Sequence, residues 1–142
     1  MVKSKLIDAW TEAVVGLVID GEAGDPDERI WSVLRSHGLT CCESVGVPRS
    51  GSWPAVRDRH LDTHPACAGC GNRHGLDVHH LEPFHVEPAR ELDPANLITL
   101  CRPHCCHLML GHGGNWTAWN PHARADAARL LRRIAERKGA GA

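Results

Sequence analysis

A chain of 142 residues fits one domain with a modest core, and with five Trp, one Phe and no Tyr that core must rest on Leu, Val, Ile and Ala. Seven Cys and eleven His are the unusual counts; enriched together, they favour metal binding over a disulfide framework. A net charge of −1 excludes binding to an acidic polymer through overall charge alone. Its distribution is more permissive, because residues 1–30 hold seven acids and three bases, leaving thirteen bases against ten acids for residues 31–142. The longest apolar run, AVVGLVI, has seven residues, far below the roughly 20 that cross a bilayer, so no membrane association is expected. The opening MVKSKLIDAW lacks the apolar core of a secretory signal. A reducing cytoplasm, where thiols survive as metal ligands, is the expected compartment.

From the N-terminus, Leu6, Trp10, Val14, Leu17 and Val18 recur at helical spacing and predict an amphipathic helix over residues 5–19. A second helix follows, with Asp25 as N-cap, Pro26 at N1, Glu28 closing a capping box and Gly38 as the stop. Residues 39–52 read as loop, and Cys41 and Cys42 within it fall outside any ligand spacing. Ser52 ahead of WPAVRDRHLDTH predicts a third helix that ends before Pro65. The chain closes on PHARADAARLLRRIAERKG, a helix with Ala127, Leu130, Leu131 and Ile134 on one face. For the arginines of its other face, solvation is expected ahead of a DNA contact. Trp10 and Trp31 are expected to pack helices.

Between the third and last helices lies CAGC, whose Cys67 and Cys70 form a C-x2-C knuckle able to grip one tetrahedral ion with both sulfurs. A second group of candidates sits in LCRPHCCHLMLGH, residues 100–112. Two such half-sites closed over a loop point to structural zinc, as a lone knuckle would not. After Cys101 the fourth ligand can be His104, Cys105 or Cys106, and spacing alone favours His104, which mirrors the first pair. The intervening segment offers LDVHH as a short strand and NLITL as a second, followed by a helix over CHLMLGH. Adjacent residues on a strand face opposite sides. His79 and His80 are therefore expected to serve different purposes, one holding a metal on the helix side and the other facing a substrate. Such a division suits phosphodiester hydrolysis, in which one group activates water and a cation stabilises charge on the phosphoryl and leaving oxygens.

In CAGC, LDVHHLEP, DPANLITLC and CHLMLGH, four motifs in this order, the sequence resembles the HNH endonucleases. The resemblance covers roughly residues 49–119, with RSGSWPAVRDRHLDTHP leading in and GHGGNW closing. It implies an α+β fold: a ββα-metal, treble-clef-like core with a structural zinc. An N-terminal helical extension over residues 1–48 precedes it and a basic amphipathic helix over residues 120–142 follows, in one compact domain. By the same resemblance His80 is the general base, His79 and His107 are ligands of the catalytic ion, and Asn96 ties down the loop and orients the base. His112, five residues after His107, is a further ligand or a phosphate contact. In zinc-bearing members the cysteine before the last histidine belongs to the structural site. That criterion selects Cys106 as fourth ligand beside Cys67, Cys70 and Cys101, although two extra residues separate the second cysteine pair here.

The resemblance implies a metal-dependent DNA endonuclease, cytoplasmic and encoded by a prokaryote or phage, that leaves 5′-phosphate and 3′-hydroxyl ends. Zn²⁺ would occupy the structural site, and Mg²⁺, or Mn²⁺, Ni²⁺ or another divalent cation, the catalytic one. A competing expectation is a zinc-stapled nucleic-acid-binding module without catalysis, against which the set His80, Asn96 and His107 speaks. A structural zinc domain for protein contacts is the third, suited by the near-neutral charge. His85 is divided between bracing the metal loop and contacting the DNA backbone. His37, His60, His64, His74 and His122 read as ordinary surface or core histidines, and Asn115 and Trp116 as closing the helix over the zinc region. Nothing in the sequence signals an oligomeric state.

Overall fold

The structure, a computed structural model, describes residues 2–20, 29–30, 32–33, 36 and 50–141. Helix α1 (Val2–Asp20) runs where predicted: Leu6, Trp10 and Val14 stack four apart on one face and are buried with Val15. Of the second expected helix, Arg29, Ile30, Ser32, Val33 and Ser36 are described and helical, with Ile30 buried. Asp25, Pro26, Glu28, Trp31, His37, Gly38, Cys41 and Cys42 lie outside the described residues. Helix α2 (Trp53–Thr63) has a proline in its first turn, and the Ser52 side chain before it caps no N–H. The expected serine cap fails because Ser52 is already in the helical region of backbone space (φ −86°, ψ −13°), whereas a capping residue needs an extended backbone.

Strands β1 (Leu76–His80) and β2 (Leu97–Cys101) pair antiparallel, with His79 opposite Ile98 and His80 opposite Leu97. Every residue of β2 is buried, as expected when both faces of a sheet are covered. Ring contacts identify the covers. His80 meets Trp53 of α2, while His79 meets His107 and His112 of the helix after β2. By strand alternation α2 lies on one face and that helix on the other. The connection from 81 to 96 is drawn closed by Leu81 N–H donating to Asn96 O at 2.8 Å. It holds two short 3-10 turns, Pro88–Arg90 and Pro94–Asn96, the second capped by the Asp93 carboxylate accepting from Ala95 N.

The helix expected over CHLMLGH forms, but His107–Gly111 within it is a π-helix. Helix α3 (Ala123–Ala140) closes the fold, burying Ala123, Ala127, Leu130 and Ile134, the last three in one core with Trp10 and Val14 of α1. Leu131, expected on that face, is instead 43% exposed; the buried stripe is the narrower row through 127, 130 and 134. Arg124 donates to Ala95 O and Leu97 O at 3.1 and 3.2 Å, while later arginines of the helix make exposed ion pairs. Arg129 pairs with Asp126 and Arg132 with Glu136 on the same helix, and Arg133 with Glu12 of α1; exposed pairs of this kind contribute little. No helix among the described residues is long and apolar enough to cross a membrane.

Candidate metal centres

Cys67, Cys70, Cys101 and Cys106 are all buried, with their sulfurs within 4.8 Å of one another. A tetrahedral Zn²⁺ with bonds of ~2.3 Å spaces its sulfurs roughly 3.8 Å apart, and Cys70 Sγ lies 3.6 Å from Cys101 Sγ. The knuckle is shaped by its backbone: Gly71 N–H donates to Cys67 O at 2.9 Å, and Ala68 N–H to Thr99 O at 2.9 Å, which fastens it to β2. Gly71 takes φ +76°, a left-handed turn natural to glycine. Of the three candidates for the fourth position, Cys106 stands in the cluster. His104 touches it from outside, Nδ1 3.3 Å from Cys70 Sγ. Cys105 is buried at φ +55° with its sulfur outside the group of four. Hydrogen bonds from Cys106, then Cys67 and Cys70, hold the Cys101 thiol well below its ordinary range, while the bond to Cys101 pushes Cys70 and Cys106 up. Thiols this close and this buried ionise together only if a cation shares their charge. The cluster can hold a structural metal such as zinc.

The second cluster is His79, His107 and His112, with ligand nitrogens again within 4.8 Å. On an α-helix, residues five apart point about 140° from one another. The π-helix, bonded i to i+5, brings them back to one face, so the irregular turn places His112 beside His107 at 5.2 Å between ring centres. Gly111 makes room opposite, since a Cβ there would stand 3.0 Å from the His79 ring. Each ring is held from behind. His107 Nδ1 donates to Asp77 Oδ2 at 3.1 Å and His112 Nδ1 to Ala118 O at 2.7 Å, while the Gly111 backbone bonds His79. Back-bonded imidazoles with one nitrogen left over are the usual arrangement of metal-binding histidines. His79 Nε2 is buried with no hydrogen-bond partner, an arrangement that costs free energy unless something coordinates it. Burial, then the charges of His107, His112 and His80, push His79 down to about 2, and burial lowers His112 as well. Both therefore offer lone pairs at neutral pH. The residues fit a divalent ion, but Mg²⁺ fits them poorly: it demands oxygen ligands, whereas imidazoles suit Zn²⁺, Ni²⁺ and their neighbours. Trp116, expected over the zinc region, packs instead against His107 and His112 at 5.2 and 4.8 Å. Left-handed turns at Gly113 and Gly114 send the chain back to that side.

His80 occupies the other face of β1, 5% exposed. Its Nε2 lies 2.7 Å from Glu91 O and its ring 4.5 Å from that of Trp53. Asn96 is fully buried and knots the 81–96 loop: Nδ2 donates to Glu82 O and Arg90 O at 3.0 and 3.1 Å, and Oδ1 accepts from Glu82 N at 2.8 Å. His85 is exposed and belongs to neither cluster. His60, expected to be ordinary, is buried against His64 with ring centres 4.4 Å apart. Sequence reasoning passed over Asp77, although its place two residues before His79 puts it on the same strand face.

Comparison with protein-family models, with curated proteins and with solved structures returns no match for this chain. What the chain itself carries is an α+β fold with four close cysteines and three close histidines, an arrangement compatible with a metal-binding module.

Proposed function

We propose that the chain is a metal-dependent DNA endonuclease of the HNH kind, built on a ββα-metal core, with Zn²⁺ in the cysteine cluster and a divalent ion in the histidine cluster. The observation that carries this reading is the divergence of neighbours on β1: His79 turns to His107 and His112, while His80 turns away and gives its Nε2 hydrogen to Glu91 O. With the hydrogen on Nε2, the lone pair sits on Nδ1, the state a general base needs. Asn96 supports that state at one remove, because it holds Arg90 O, the carbonyl next to the one that holds His80. In the proposed reaction His80 takes a proton from the water that attacks phosphorus in line; the P–O3′ bond breaks, and the departing 3′ oxygen takes up a proton from solvent to leave a hydroxyl. A divalent cation held by His79, His107 and His112 would supply positive charge against the phosphoryl and leaving oxygens. His79, kept neutral by burial, coordinates and does not compete for the proton. The donor set favours Zn²⁺ or Ni²⁺ over Mg²⁺ for this role.

Supercoiled plasmid incubated with the protein and each cation in turn is expected to be nicked, and EDTA to stop the nicking. His80→Ala, with unchanged circular dichroism and ion binding, should lose at least about a hundredfold in rate. Wild-type cleavage by that variant would remove His80 from the mechanism.

A further inference from the structure

Of the three groups that hold the clustered histidines from behind, one is charged. Ala118 and Gly111 offer backbone to His112 and His79, whereas His107 Nδ1 donates to the Asp77 carboxylate at 3.1 Å. The same oxygen, Oδ2, is also ion-paired with Arg102, whose Nε lies 3.1 Å away. Asp77 is three-quarters buried while the Arg102 side chain is 69% exposed, so the carboxylate is fixed and the guanidinium is the movable partner. A carboxylate behind a ligating imidazole fixes its tautomer and raises its basicity. A guanidinium drawing on the same oxygen takes part of that charge away.

We propose that Asp77 is the positioning residue of the histidine cluster and that Arg102 opposes it, so that the two set ion affinity in opposite directions through one oxygen atom. The proposal rests on the cluster taking a divalent ion and on nothing specific to nuclease chemistry. Asp77→Asn keeps the shape and removes the charge; it should weaken binding by about tenfold to a hundredfold. Arg102→Gln leaves Oδ2 to His107 alone and should tighten binding a few-fold. A residue that merely braced the fold would shift both variants the same way.

Arg102 also carries a positive charge near the site, and a double-mutant cycle separates that direct repulsion from an effect passed through Asp77. The experiment is calorimetric titration of Ni²⁺ into zinc-loaded wild type, Asp77→Asn, Arg102→Gln and the double variant, with thermal melts to confirm folding. The gain from Arg102→Gln is expected to vanish in the Asp77→Asn background. Unchanged affinity in Asp77→Asn, weaker binding in Arg102→Gln, or an equal gain in both backgrounds would each overturn the proposal. Absence of plasmid nicking while these affinities behave as stated would count against the endonuclease reading alone.

Discussion

A Cβ at Gly111 would meet the His79 ring at 3.0 Å, and that ring, 5% exposed, has little room to give way without leaving its place in the histidine cluster. Gly111→Ala is therefore expected to displace His79 and weaken Ni²⁺ binding by roughly tenfold. The zinc content of the cysteine cluster, measured by metal analysis, should stay as in the wild type. Equal affinity in the two proteins would mean that His79 can move aside at no cost. Residues of this sort were hard to find in the sequence. Cys67, Cys70, His79 and His80 announce themselves through side-chain chemistry and spacing, and strand alternation already separates the two histidines. A glycine in an apolar helix and a carboxylate at a strand's start have ordinary readings. Their importance arises from which surface is packed against them, and spacing along the chain does not carry that.

Among the elements, the helix after β2 shows what periodicity captures and where it stops. Its position, from the cysteines to the glycines, follows from pattern alone. Its wider turn does not, because CHLMLGH has no residue that dictates i to i+5 bonding; the folded chain buries Leu108, Met109, Leu110 and Gly111 within the π-helical stretch. Helix α3 makes the complementary point. Pattern placed Leu130 and Leu131 on one apolar face, but a helix meeting α1 along a narrow row buries only the first. Leu130→Ala is expected to cost about 2–5 kcal/mol in urea unfolding, and Leu131→Ala to stay within about 0.5 kcal/mol of wild type. Similar losses at both positions would contradict this helix phase.

For the molecule as a whole, buried neutral imidazoles set the response to acid. In the folded chain His79 is pushed down to about 2, first by burial, against an ordinary value of 6.5; His112 and His60 are lowered for the same leading reason. As pH falls below 6.5 the unfolded chain takes up protons that the folded chain refuses. Stability is then lost at up to about 1.4 kcal/mol per pH unit for His79. Above 6.5 these groups contribute no slope. Thermal midpoints of protein free of metal at the histidine cluster are expected to be level from pH 8 to 7 and to fall from pH 6.5 to 5. A flat profile across the lower range would show that these rings are open to protons. Less of this scale was legible beforehand. The acidic first thirty residues carry no motif, yet Trp10 of α1 is fully buried and its indole donates to His104 O at 3.0 Å, across the core from a helix read as an extension. One further feature spans both metal sites. Cys106 and His107 are consecutive, and they serve different clusters. A metal in the cysteine cluster would fix Cys106 from one side, while Asp77 holds the imidazole one peptide bond beyond it from the other. An ion taken up by the first cluster would then steady the second, so that occupancy of the one is expected to favour occupancy of the other.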